Sequence, residues 1–344
     1  MSMNDNDLFA DAAREVLAGQ CTPAVVRAIE AGGRTAAATQ TLWQQLEGAG
    51  LADALLDEDD GGAGLSLGQV FGVLEQCGAH ALPLPLAETL VARALLVHAG
   101  AQPVPGSVAL AQGQVLADGS WHCALVRSGA MVDAVLVQTE CAWRVLKTAE
   151  ARSAPQACAL DAALTWSAVQ VQAVPVVAVA AQQQVRTLQA AVVAAQMVGA
   201  LNQVFLRTLQ YANERQQFGR PIGRFQAIQH QLAVMSEHVF AARIAAQLGC
   251  SGDGVQPDRL RVATAKARCS EAAQVVVELA HAIHGAIGCT EEYDLQLFTR
   301  RLHAWRQTAG SEAYWYGVAG DALLAYDGMA LDVVRRITDV ESVH

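Results

Sequence analysis

The chain is poor in charge and in aromatic side chains, with charged residues at 16% and aromatic residues at 5% of 344. Its eight cysteines, Cys21, Cys77, Cys123, Cys141, Cys158, Cys250, Cys269 and Cys289, are scattered, with no C-x-x-C pair and no metal-ligand spacing. That excludes a zinc module or disulfide framework read from spacing, and the cysteines read as reduced, mostly buried thiols of a cytoplasmic protein. The segment Met1 to Asp7 is polar and acidic, so no secretory signal is expected. No apolar run of about 18 residues escapes polar interruption, so no membrane span is expected. A formal charge of -10 disfavours nucleic acid and anionic membranes as main partners. The glycine run Gly61-Gly62-Ala63-Gly64 lacks a following G-K-[ST] and is preceded by Asp57-Glu58-Asp59-Asp60. It therefore reads as a loop between helices and not as a phosphate loop.

What the sequence does have is apolar, at 53% hydrophobic residues with much alanine. This composition favours helices packed closely over large shared interfaces, and the length suffices for two or three packed units. Helical spacing marks Leu8 to Leu17, Val25 to Ala31 and Leu42 to Leu55. Ser66 is placed to cap a further helix through Val70, Phe71, Leu74 and Cys77. Leu82-Pro83-Leu84-Pro85-Leu86 forces an extended link before a helix over Ala87 to His98.

From Val104 to about Val179 come short apolar runs: Ser107 to Ala111, Trp121 to Val126, Ala134 to Val137, Trp143 to Leu146 and Val169 to Val179. They predict a small antiparallel β domain. Long helical patterns return over Val185 to Tyr211, Ile222 to Leu248, Arg259 to His284, Tyr293 to Trp305 and Glu312 to Tyr326. One face of the second carries Phe225, Ile228, Leu232, Met235, Val239 and Ala242. The expected fold is mainly α: an N-terminal helical domain over 1–103, a middle β domain over 104–179, and a C-terminal four-helix bundle over 180–344.

Between the first two bundle helices lies Arg215-Gln216-Gln217-Phe218-Gly219-Arg220-Pro221-Ile222-Gly223-Arg224-Phe225-Gln226. Three arginines fall within ten positions, and both a solvated loop and an anion-binding corner remain open at this point. His281 and His284 are three apart on a helix, a spacing that can bind metal, but no third ligand is evident.

The helix, β, helix order resembles the acyl-CoA dehydrogenase family across nearly the whole chain. Arg215 to Ile222, followed by Phe225-Gln226-Ala227-Ile228-Gln229, is similar to that family's R-x-x-F-G-x-x-I…Q-A-x-Q signature. Ile283-His284-Gly285-Ala286-Ile287-Gly288 is similar to its H-G-G-x-G segment. The resemblance implies oxidation of an acyl-CoA thioester to its 2,3-enoyl form, with FAD bound at a subunit interface of a homo- or hetero-oligomer. It implies that Arg215 contacts the FAD pyrophosphate, Phe218 packs near the adenine, and Gln226 hydrogen-bonds nearby. Gly285 and Gly288 would let the neighbouring subunit's backbone come close to the cofactor's adenosine part.

The same comparison exposes departures. The family's catalytic glutamate falls at one of two positions, and these hold Ala309 and Gln189, the latter twenty-two positions before Tyr211. Neither side chain can take a proton from carbon. Glu312, three residues past Ala309, is a weak substitute that fits better as a first-turn helix acid. The flavin-covering T-E-P-x-x-G-S-D segment is reduced to Leu110-Ala111-Gln112-Gly113. These losses lead to the expectation of a heteromer whose homologous partner carries the base, as in relatives acting on steroid side-chain thioesters. The alternative is a catalytically silent member that binds an acyl-CoA or a partner protein.

Overall fold

A computed structural model describes residues 3–102, 104–180, 182–252 and 254–339. The start of the acidic stretch Met1 to Asp7 lies outside the described residues. The chain forms two compact units, one of 1–73, 82–189 and 253–256 and the other of 74–81, 190–252 and 257–344.

The first unit begins with α1 (Met3–Gln20), α2 (Pro23–Gly32) and α3 (Ala37–Gly48). Thr22 caps α2 through Val25 N, with Pro23 in the first turn where its missing N–H costs nothing. The helix expected over Leu42 to Leu55 stops at Gly48; Gly50 takes a left-handed φ of 71° and only a short 3-10 turn follows at Leu51–Asp53. Ser66 and Gln69 form a reciprocal cap, Ser66 Oγ accepting from Gln69 N and Gln69 Oε1 from Ser66 N. It leads the chain into α4 (Phe71–Ala79), whose end passes into the second unit, and α5 (Leu86–His98) follows the proline link.

The strands are β1 (Val108–Gln112), β2 (Gln114–Val115), β3 (Trp121–Val126), β4 (Ala134–Gln138), β5 (Trp143–Lys147), β6 (Arg152–Pro155) and β7 (Ala162–Trp166). They make a sheet ordered β1-β4-β5 and a second ordered β2-β3-β7-β6. Trp121, Cys123, Val135, Val137, Leu164 and Trp166 meet in the shared core. Two expectations are corrected. β1 pairs with β4 in parallel, so the β region is not purely antiparallel. The stretch Val169 to Val179 begins as a short helix, α6 (Ala168–Gln172), because Ser167 and Gln170 build a capping box.

The second unit contains α7 (Val185–Glu214) from Ala190 onward, then β8 (Gln216–Gln217), β9 (Arg220–Pro221), α8 (Gln226–Cys250), α9 (Arg259–His284), α10 (Leu295–Gln307), α11 (Glu312–Leu324) and α12 (Ala330–Thr338). The last helix was not anticipated. From Ala190 to Leu201 almost every side chain of α7 is buried, as expected of a helix apolar all round. Gly78 and Gly199 let the 74–81 segment lie directly on it, since a Cβ on either would collide with the other's backbone neighbourhood, Gln196 O or Glu75 O. Leu232, Met235, Val239 and Ala242 of α8 are buried as the stripe predicted, and α9 packs against α8, α10 and α11.

By length and composition, Val185–Glu214 and Arg259–Cys289 are apolar enough to cross a bilayer. For α7 the apolarity serves packing, since 83% of its most apolar window is buried within the protein.

Candidate functional site

The corner between α7 and α8 is a two-stranded hairpin. Gln217 pairs with Arg220, leaving Phe218 and Gly219 as a two-residue tip with φ of 52° and 78°. Positive φ at both central positions is the turn whose twist matches a hairpin, and at Phe218 it costs backbone strain. Phe218 is 92% exposed all the same; its ring meets the edge of Phe225 at 6.1 Å, and the Arg220 guanidinium lies over Phe225 at 4.2 Å. Backbone bonds from Arg215 N to Tyr211 O and from Ile222 N to Arg215 O, both 2.8 Å, close the hairpin base. Arg215, Arg224 and Gln226 are exposed on the same corner.

The second motif lies at the end of α9. Gly285 terminates the helix with φ of 65°, exposed and with open space at its Cβ position. Gly288 is buried, and a Cβ there would sit 3.0 Å from His284 Cβ and 3.2 Å from His281 Nδ1. Its missing side chain thus serves packing within this chain. His284 is stacked on Tyr211 at 4.4 Å and tilted against Tyr293 at 5.2 Å. Its Nδ1 faces Ala280 O at 2.8 Å and its Nε2 faces the Tyr293 hydroxyl at 3.3 Å. Burial lowers its pKa. The two motifs are therefore joined through Tyr211 and His284, a contact between segments 73 positions apart. His281 faces Thr299 Oγ1 at 3.2 Å, and no metal-holding cluster of His, Cys, Asp and Glu occurs among the described residues.

This chemistry suits one edge of an anionic dinucleotide. Guanidiniums match paired phosphate oxygens, an exposed aromatic face suits a flat ring, and the open glycine permits close backbone approach. The residues fit FAD as a surface that covers one side of it.

The two positions lacking a carboxylate differ in their surroundings. Gln189 is buried, and its Nε2 donates to Leu110 O at 2.7 Å. Beside it lies Glu88, whose carboxyl Gln189 helps to pull down, a residue the sequence reading missed. Glu88 is 3% exposed; it accepts from Leu110 N at 2.9 Å and from Arg127 at 3.2 Å. Burial pushes its carboxyl above the usual range, while Arg127 and the Leu110 N–H pull it down. A signal for it existed: it is the only charged residue between Ala81 and Ala92.

Ala309 is only partly buried and has φ of 57°. Its loop is pinned by backbone carbonyls: Trp315 Nε1 donates to Ala309 O at 3.1 Å, and the fully buried Lys266 Nζ donates to Arg306 O at 2.9 Å and Gly310 O at 3.0 Å. Glu312 lies in the first turn of α11 and is chelated by Arg306. That pairing holds its carboxyl below the usual range, which makes it a weaker base.

Residues 179–324 match the family model for the acyl-CoA dehydrogenase C-terminal domain. The acyl-CoA dehydrogenase IpdE2 of Mycolicibacterium smegmatis is 30% identical over 275 residues, covering 78% of this chain and 83% of that protein. A variant of the Tcur3481-Tcur3483 steroid ACAD is 25% identical with a TM-score of 0.78, over 93% of this chain and 98% of its own. The ChsE4-ChsE5 complex from Mycobacterium tuberculosis shares the fold with a TM-score of 0.83 at 19% identity, over 95% of this chain and 99% of its own.

Proposed function

Since the chain belongs to the acyl-CoA dehydrogenase family, we propose that it acts as one subunit of a heteromeric acyl-CoA dehydrogenase whose homologous partner supplies the catalytic carboxylate. The observation that carries this reading is the contrast between a retained corner and two positions without a base. Arg215, Phe218 and Gln226 stand exposed together, whereas the buried Gln189 amide is held by Leu110 O and Ala309 has no ionisable group.

FAD bound in such an assembly takes up the hydride removed from the substrate's β carbon while a carboxylate removes the α proton. In this chain Arg215 would bind the pyrophosphate as a two-pronged donor, Phe218 would cover the adenine side and Gln226 would hydrogen-bond beside them. Gly285, with open space at its Cβ position, would let the backbone at a subunit interface come close to the cofactor's adenosine part. The steroid ACAD named above and the ChsE4-ChsE5 complex support a bulky acyl-CoA as substrate and a homologous chain as partner. A cytoplasmic location belongs to the same reading, supported by eight free cysteines.

Purification alone and after co-expression with a homologous subunit tests it, using flavin absorbance and reduction of a dye acceptor by acyl-CoA. Flavin and activity are expected only with the partner. Activity of this chain alone would overturn the subunit reading, and a flavin-free, inactive complex would favour the silent, acyl-CoA-binding alternative.

A further inference from the structure

β1 is an edge strand, paired with β4 on one side only. Backbone groups alternate along a strand, and Gly113 N bonds to Gln138 O on the β4 side, so Val108 and Leu110 direct theirs to the open side. An edge left unpaired inside a protein strands donors and acceptors away from water. Here side chains complete it. Thr89 Oγ1 meets Val108 N at 3.0 Å and Val108 O at 3.2 Å. Glu88 takes the Leu110 N–H, and Gln189 donates to Leu110 O.

Position 189 therefore donates to Leu110 O at 2.7 Å, while the N–H of the same Leu110 is held by the Glu88 carboxylate at 2.9 Å. A primary amide carries N–H donors and satisfies that carbonyl. A carboxylate carries none.

We propose that Gln189 is an obligate amide, a positioning residue that with Glu88 fixes the Leu110–Gly113 segment and thereby excludes a carboxylate from this place on α7. The absence of a base at 189 is then part of how this chain folds, and no single substitution there restores one. Its bearing on catalysis rests on the subunit reading above; the hydrogen-bond requirement does not.

The charged groups around the site are Glu88, Arg127 and Asp161, which raises the Glu88 carboxyl further. In Gln189→Glu the new carboxyl would face Glu88 and a carbonyl, so one of the pair holds a proton well above its unfolded pKa. Such a group costs nothing where both states are protonated and destabilises increasingly as pH rises above the unfolded value.

Thermal unfolding of the full chain between pH 5 and pH 8 tests this with Gln189→Glu, Gln189→Met and Glu88→Gln/Gln189→Glu. Gln189→Met should lower Tm by a similar amount at every pH. Gln189→Glu should fall a further 5 °C or so below it at pH 8, with the gap closing toward pH 5. The double variant should flatten that dependence. A Gln189→Glu protein no less stable than Gln189→Met at pH 8 overturns the proposal. Should Gln189→Glu be insoluble, recovery of soluble protein in the double variant supports it, and failure of both overturns it. Loss of the subunit reading would show separately, in the flavin content of the co-expressed complex.

Discussion

Gln189 and Ala309 lack the same group in opposite settings. Gln189 lies in a buried polar network in which each atom of Glu88, Arg127 and Leu110 named above has a partner inside the first unit. Ala309 lies in the second unit on a half-exposed loop whose carbonyls are held by Lys266 and Trp315 while its own side chain bonds nothing. The first place has been given to a structural task; the second keeps a shaped backbone with a methyl group on it. A missing catalytic residue can thus mean a site rebuilt or a site merely emptied, and only the neighbours tell which.

The largest expected effect breaks the closed side of this contrast. Glu88→Ala strands the buried Leu110 N–H and removes one buried carboxylate paired with Arg127, a loss of about 3 kcal/mol that should lower Tm by several degrees, about 5 °C or more, in a melt; a change under about 2 °C would mean the network is not load-sharing. Next, Arg215→Ala should weaken flavin retention by the co-expressed complex about tenfold, as expected for one charge-assisted contact. Unchanged flavin occupancy removes Arg215 from the cofactor assignment.

Smaller effects sharpen the open side. Ala309→Gly relieves a left-handed conformation but loosens the unfolded chain, for a net gain of roughly 0.5 kcal/mol. Ala309→Glu should leave Tm nearly unchanged, in contrast to Gln189→Glu, because a glutamate pays no more than alanine at that φ. The smallest effect concerns Glu312. Its carboxyl is held below the ordinary value of 4.5 by Arg306, so the pair stabilises above that value and the contribution fades as pH falls through the lower folded one. The Tm difference between wild type and Arg306→Gln should therefore be present at neutral pH and close in acid.

The helices were legible because their apolar spacing repeats over many turns; the buried stripe of α8 matches Leu232, Met235, Val239 and Ala242. The corner was legible through its arginines and its family signature, whereas its hairpin form and its internal joint, Tyr211 on His284, were not. Where local signals were short, tertiary context won. Apolar residues from Val169 to Val179 read as strand until Ser167 and Gln170 cap a helix there, and the parallel partnership of β1 with β4 depends on segments 26 residues apart.

By itself the sequence determined the helix, β, helix order, the family, the retained corner and the missing carboxylates, since each is a property of residue identity or of spacing along one segment. Tertiary structure alone decided what replaced those carboxylates. Leu110 and Gln189 stand 79 positions apart, and Glu88 comes from a third element. A hydrogen bond forms on distance in space, so no reading along the chain could pair them.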